Sequence, residues 1–443
     1  MRKVAFLTLG CKVNQADSGA MEQLFRQAGY LAVDFTEPAD VYIINTCVVT
    51  DTAEHKSRQL IRRAARQNPN AVIAVTGCYP QIGAEAVKHI KGVDLIVGTD
   101  RRREIVSLVE KARQSGCLDA AGALSLDAGF EELPSGNVNT RTRAYLKIQE
   151  GCDQYCSYCV IPYARGPSRS RPLESVRTQT SRLVEAGFRE IVLIGIHLGA
   201  YGAEKPAAGN LCAAVKTALS VDNLERLRLG SIEPTELDFE LLSLLKNDRR
   251  LCRHLHLPLQ SGCDAVLRAM KRPYGTADFQ RIVDEVRCCV PDVAITTDII
   301  AGFPGETPAM FAETCAFVEK MAFSRAHIFP FSPRAGTPAA DFSGQVGREE
   351  KIARTKELAR IAKKSEEKFL SGLLGKEREV LFEQAEGETL MTGLTDDYAK
   401  AFAPLDNSLL GGIARVLITG LEAGGVTAKL AMTAAKIPTN MRL

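Results

Sequence analysis

The chain has no tryptophan, and aromatic residues make up only 6% of its 443 positions. That scarcity argues against extensive stacking of nucleic-acid bases on side-chain rings. The formal net charge of +3 is too small to identify a partner, so local basic clusters must carry that argument. No apolar run approaches the length of a membrane-spanning helix, and no membrane partner is expected. The opening residues, MRKVAFLTLGCK, lack the apolar core and small-residue cleavage site of an export signal. A cytoplasmic location is expected. Thirteen cysteines, an odd number without an export signal, do not suggest a disulfide framework.

What is present is ordinary in bulk and unusual in detail. Hydrophobic content of 45% and charged content of 25% suit a folded globular protein. At ~150 residues per domain, the length suggests about three domains. The first hundred residues alternate short β-branched runs with helical patterns. Strands are expected at Val4–Leu9, Asp40–Asn45, Ala71–Thr76 and Asp94–Gly98. Helices are expected over Ser18–Gly29, capped by Asp17 or Ser18, and over Thr52–Gln67. This pattern predicts an open parallel α/β domain over 1–115.

Residues 116–142 are rich in Gly, Ser, Asp and Asn and read as a linker or mobile loop. Alternation resumes over 143–374, with strands expected at Ala144–Gln149, Glu190–Gly195, Arg226–Ser231, His254–Leu259, Val293–Ile300 and Ala326–Ser332. Six strands with helical crossovers predict an incomplete TIM-like barrel. Arg348–Leu374 reads as a solvated, charged connecting helix. Beyond it, over 375–443, EREVLFE, LMTGLT, ARVLITGLE and VTAKLAM are short strands between glycine-rich turns, the pattern of a small all-β barrel or sandwich.

Cys117, Cys212, Cys252, Cys288, Cys289 and Cys315 share no spacing and read as small buried residues. Six others are patterned. Cys11, Cys47 and Cys78 each stand one or two residues past an expected strand end, where open parallel sheets bind ligands. They hold a shared metal, or each is a small residue in a tight turn. Cys152, Cys156 and Cys159 stand together in GCDQYCSYC, directly after the first expected barrel strand. Structural zinc favours two paired ligand sets, and no second pair follows. Compact thiolates better suit an iron–sulfur cluster. With three thiolates, a four-iron cluster keeps one iron open to a small molecule.

CxxxCxxC after the first strand of a β/α barrel resembles the radical S-adenosylmethionine enzymes. The wider set, GCKVNQ, NTCVVT, TGCYPQ, CDQYCSYCVIPYARGPSRSRP, HLHLPLQSG, DIIAGFPGE and FSPRAGTPAA before a small β domain, resembles the methylthiotransferases over nearly the whole chain. The resemblance implies an α/β fold in three parts: an N-terminal open parallel α/β domain, a central incomplete (β/α)6 TIM-like radical-SAM barrel and a C-terminal TRAM barrel that binds RNA. It implies two 4Fe-4S clusters, one on Cys152, Cys156 and Cys159 and an auxiliary one on Cys11, Cys47 and Cys78. S-adenosylmethionine would lie near Tyr158, although an ordinary packing tyrosine reads the same, and against the strand exits at Gly195, Ser231, Glu233 and Gln260. One S-adenosylmethionine would methylate a sulfur on the auxiliary cluster. A second would be cleaved reductively to a radical that takes a hydrogen from the substrate carbon.

The family divides by substrate. GCKVNQ and the His197 of GIHLGAYG resemble the branch that modifies threonylcarbamoyladenosine at tRNA position 37, as against isopentenyladenosine or a ribosomal-protein aspartate. A tRNA partner, an electron donor such as flavodoxin or ferredoxin, and a sulfur donor are then expected. Arg165, Arg169 and Arg171, after the cysteine loop, would meet phosphates, as would Lys376 and Arg378 on the last domain. Arg62, Arg63, Arg66 and Arg101–Arg103 add basic charge or form solvated faces. Two other readings stay open: a radical enzyme of different chemistry with structural N-terminal cysteines, and a non-enzymatic metal-containing RNA-binding protein.

Overall fold

The computed structural model describes residues 1–48, 51–124, 129–135 and 142–431. Val49 and Thr50 of NTCVVT, parts of the expected linker and the residues after Ala431 lie outside this set.

The N-terminal sheet contains β1 (Lys3–Thr8), β2 (Leu31–Val33), β3 (Val41–Thr46), β4 (Val72–Gly77), β5 (Leu95–Val97) and β6 (Leu118–Ala120), in the order β2-β1-β3-β4-β5-β6. Every neighbouring pair is parallel. β3 and β4 are buried along their whole length, which explains their unbroken apolar runs. The three-residue strands β2 and β6 were not expected, and β6 falls inside the segment read as a linker. Beyond β6, three residues of that segment are tied to the two domains. Leu133 is buried, Glu131 pairs with Arg102 at 2.8 Å and Glu132 pairs with Arg171 at 2.7 Å.

The first helix also departs from expectation. It runs Lys12–Gln27, with Cys11 as its N-cap residue, so it starts well before Ser18. Asp17 and Ser18 are buried within it and cap nothing.

The central domain holds β7 (Arg143–Lys147), a ribbon of β8 (Gln149–Glu150) and β9 (Arg169–Ser170), then β10 (Glu190–Ile194), β11 (Arg226–Leu229), β12 (His254–His256), β13 (Ala294–Ala301) and β14 (Arg325–Pro330). Parallel pairing joins β7-β10-β11 and β12-β13-β14. Bridges at Leu227–Leu251 and Ser231–His256 link the two sets into one open arc of six strands. Ala144, Leu146, Ile191, Leu193, Leu227, Leu255, Ile295 and Ile299 face outward into the main core with the helices. The helix Arg348–Ser371 is not merely solvated. Leu358 and Ile361 join that core, and Arg354 pairs with buried Glu306 at 2.6 Å, so the helix covers the edge strand β14.

The last unit is a closed barrel of β15 (Glu377–Glu386), β16 (Leu390–Thr395), β17 (Lys400–Pro404), β18 (Ile413–Glu422) and β19 (Gly425–Leu430). It docks on the start of the central strands. Arg226 donates to the carbonyls of Glu379 and Leu394, and Arg228 to those of Thr395 and Asp396. Both arginines also pair with buried Glu190. Tyr398, held at φ +69°, stacks on His254 with ring centres 4.4 Å apart. No described helix is long and apolar enough to cross a membrane.

Candidate active site

The loop with Cys152, Cys156 and Cys159 leaves the end of β7 and is closed at its base by the β8–β9 ribbon. Gly151 sits at φ +77°, and any side chain there would strike the carbonyl of Pro167, so the tight entry requires glycine. The loop is tied at several points. Cys152 N–H donates to Gly166 at 3.0 Å, Ser157 N–H to Met270 at 3.1 Å, and Ala339 N–H to Ser157 at 2.8 Å. The Cys156 sulfur accepts from Arg272 Nη1 at 3.3 Å, and Cys152 lies 3.6 Å from His197 Nδ1. Burial pushes the Cys159 thiol up to about 12, and the neighbouring Cys156 and Cys152 add to it. Burial opposes charge on His197, but its hydrogen bonds to Cys152 and Glu236 outweigh that and raise it to about 10.

The residues expected to contact S-adenosylmethionine stand around the same rim. Gly195 directly follows β10, where a Cβ would press 2.8 Å from the Gln149 side chain. Ser231 bridges to His256, and Gln260, at φ +67°, accepts from Ile300 N–H at 2.9 Å. Glu233 pairs with the Arg272 that also reaches Cys156. Tyr158 packs against the apolar cluster of Cys263, Val266, Met270, Phe303, Phe331 and Ala339. Arg272 was not anticipated. It lies beyond the QSG turn, and no local motif marks it.

The second triad occupies the ends of three adjacent strands. Cys11 follows β1, Cys47 follows β3, and Cys78 begins the helix after β4. Cys47 and Cys78 are buried and Cys11 is exposed. The strands approach closely here: a Cβ on Gly10 would lie 2.8 Å from the Cys47 Cβ and 3.1 Å from its sulfur. Burial raises the Cys78 thiol, partly offset by Arg165, whose Nε lies 3.3 Å from its sulfur.

Arg165 corrects one expectation. It lies six positions after Cys159 and ends the short helix Ile161–Arg165, but it points away from solvent into the N-terminal domain. It is fully buried, so it does not face a phosphate. Its Nη1 pairs with Asp17 at 3.0 Å and Glu150 at 2.9 Å, and Nη2 donates to Asn14. Lys147 and Arg102 pair with the same two carboxylates. Burial works against ionised Asp17 and Glu150, but these three cations hold both below the usual carboxylate range.

Arg171 is likewise buried, donating to Lys147 O and pairing with Glu132, and Arg169 is buried against the Arg165 carbonyl. Arg102 is buried in the same network, so Arg101–Arg103 is not a basic surface run. Arg62, Arg63 and Arg66 are exposed. Arg378 is tied to Asp397 at 2.7 Å in the cleft between the two barrels, and Lys376, 47% exposed, lies 3.7 Å from the exposed Asp292.

Among the described residues, no three Cys, His, Asp or Glu side chains converge closely enough to hold a single metal ion. Each triad has a guanidinium on one of its sulfurs, Arg272 on Cys156 and Arg165 on Cys78, a setting that suits the thiolates an iron–sulfur cluster takes as ligands.

Residues 3–98 match the uncharacterized protein family UPF0004, and residues 146–318 match the radical SAM superfamily. The chain is 40% identical to the threonylcarbamoyladenosine tRNA methylthiotransferase MtaB of Bacillus subtilis, covering 96% of this chain and 95% of that one. Identity to the protein of that name from Thermotoga maritima is 37%, covering 99% of each. A tRNA-2-methylthio-N(6)-dimethylallyladenosine synthase from Polynucleobacter necessarius is 34% identical, covering 86% of this chain and 87% of the other. In fold, the chain is similar to the radical S-adenosylmethionine methyltransferase TsrM of Kitasatospora setae. The TM-score is 0.58 at 17% identity, over 76% of this chain and 77% of that one. Family membership brings S-adenosylmethionine and two 4Fe-4S clusters as cofactors. On this near full-length likeness, the chain belongs to the radical S-adenosylmethionine methylthiotransferases, in the branch of the threonylcarbamoyladenosine tRNA enzymes.

Proposed function

We propose that this chain attaches a methylthio group to C2 of N6-threonylcarbamoyladenosine at tRNA position 37, using one S-adenosylmethionine as methyl donor and a second as radical source. The observation that carries the reading is the pair of cysteine triads, one on each domain, joined through Arg165. Cys152, Cys156 and Cys159 would hold one cluster, and Cys11, Cys47 and Cys78 the other. Bound there, the clusters supply an electron for reductive cleavage of S-adenosylmethionine and a sulfur for transfer. The target is an aromatic C–H without useful acidity, so a general base has nothing to remove and hydrogen abstraction is the chemically sensible route.

The chain's own residues position and protect. Tyr158, Gly195, Ser231, Glu233 and Gln260 would cradle S-adenosylmethionine along the rim. Arg272 steadies Glu233 and donates to Cys156. The buried network of Arg165, Arg102, Lys147, Asp17 and Glu150 fixes one domain against the other. Exposed Lys376, with Arg62, Arg63 and Arg66, would meet the tRNA backbone, and that grip would weaken with salt. The electron donor, of the flavodoxin or ferredoxin kind, and the sulfur donor come from outside the chain, and the cytoplasm is the setting in which tRNA is modified.

The test supplies reconstituted enzyme with tRNA bearing the threonylcarbamoyl group and, separately, the isopentenyl group. Nucleoside mass spectrometry should show methylthiolation of the first. Modification of the isopentenyl tRNA alone moves the protein to the neighbouring branch.

A further inference from the structure

The inner face of the open barrel is polar, where a packed barrel of this type is filled by branched apolar residues. Register places His254, His256, Thr296, Asp298, His327 and Phe329 on one face of β12–β14, opposite the outward Leu255, Ile295, Ile299 and Ile328. Over β10, that inner face is covered by the first helix, with Val13 packed on Val192 and Ile194. Over β14 it is open: His327 is exposed and Phe329 is 46% exposed.

Lys12 stands at the border of this open space. It precedes Val13 in the covering helix and directly follows Cys11. Its ammonium lies 5.9 Å from the Tyr398 ring centre, and its charge is felt at His254, His327 and Tyr398. The other bases around it are matched or neutral. Arg228 pairs with Glu190 at 2.8 Å, His256 lies 3.2 Å from Asp298, and Arg325 lies 3.9 Å from Glu366. Burial holds His254 well below its ordinary range and lowers His327. Among the described residues, no carboxylate lies within ion-pair distance of Lys12. An uncompensated ammonium facing a polar, aromatic-walled space beside a cysteine of the second triad is placed to receive an anion.

We infer that Lys12 binds the carboxylate of the threonylcarbamoyl group and so sets the enzyme's preference for an acidic adenosine side chain over an apolar one. The inference rests on the proposed function and assigns a specificity-determining residue within it. The exposed ring of Phe329 gives the same space an apolar wall for the planar base. A charge-assisted hydrogen bond of this kind corresponds to about a tenfold or greater preference.

The test measures binding of reconstituted holoenzyme, with S-adenosylmethionine present, to two anticodon stem–loops by fluorescence anisotropy. One carries threonylcarbamoyladenosine, and the other carries its neutral methyl ester. Wild type should prefer the acid by about tenfold. Lys12→Gln should bind both alike, and Lys12→Arg should keep most of the preference, with iron content counted for each variant. A Lys12→Gln protein that retains the acid preference, or a Lys12→Arg protein that loses it with its iron intact, overturns the inference and leaves the tRNA substrate untouched. In the separate methylthiolation assay, a wild type that modifies only the isopentenyl tRNA overturns both.

Discussion

Replacing Arg165 with methionine removes the side chain that ties the loop of one cysteine triad to the sulfur of the other. Around it, Asp17, Glu150 and Glu131 face Arg102, Lys147 and Arg165, three charges of each sign. The substitution leaves three anions against two cations in a site with almost no solvent. Breaking a buried pair this way costs about 3–5 kcal/mol. The lower end applies, because Lys147 still lies 2.5 Å from Asp17 and 2.7 Å from Glu150. A loss of about 3 kcal/mol is a large share of the ~5–15 kcal/mol that holds typical proteins folded, yet leaves the chain folded. Urea unfolding of the iron-free protein should report it. Iron analysis after anaerobic reconstitution should fall from roughly eight atoms towards about four, because Cys78 loses its donor and the first triad does not. Arg165→Lys should recover much of the stability through charge but little of the iron, since it cannot reach Cys78 and both carboxylates together. A methionine variant within about 1 kcal/mol of wild type and holding a full iron complement would refute the reasoning.

Three more tests address the two sites and the domain interface. Alanine at Cys152, Cys156 and Cys159 together should halve the iron and abolish 5′-deoxyadenosine formation; a wild-type iron count near four would already contradict two clusters. Alanine at Cys11, Cys47 and Cys78 should spare some reductive cleavage of S-adenosylmethionine while stopping methylthio transfer, and normal modification by this variant would remove the second triad from the mechanism. Glu190 is held at about 2: burial raises it, but Arg228, Arg226 and Arg143 outweigh that. Its folded value is depressed, so its stabilisation, about 3 kcal/mol, is present above pH ~4.5 and fades as the pH falls towards ~2. Glu190→Gln should lower the urea midpoint near neutrality and flatten its decline in acid, and an unchanged acid profile would count against this assignment.

The six barrel strands and the strand-end cysteines were legible because both are local. Apolar runs mark strands, and cysteine spacing needs no knowledge of the rest of the chain. Asp17 was misread because the usual N-cap preference favours aspartate, whereas the helix starts at a cysteine with no side-chain cap. Its burial is decided by Arg165, 148 positions away. Arg165 and Arg171 looked like phosphate ligands for the same reason: an arginine beside a catalytic loop reads alike whether it meets RNA or a buried carboxylate. Strands β2 and β6 are too short to carry a period, and KAFAP of β17 has two alanines, a lysine and a proline around its one phenylalanine, a weak strand signature.

The docking of the C-terminal barrel has a consequence for the order in which the chain can mature. Arg226 and Arg228 sit on a central strand, yet the carbonyls they satisfy belong to residues 379 and 394–396. The last of these acceptors lies 168 positions after its arginine, so on the ribosome that much chain must be added before those guanidinium groups find all their partners. Until then Glu190 is the buried counter-charge they share, and Tyr398 has not yet stacked on His254. The inner face of the central barrel, where Tyr398 covers His254, is therefore completed by the part of the chain made last, so the order of synthesis and the order of packing run apart.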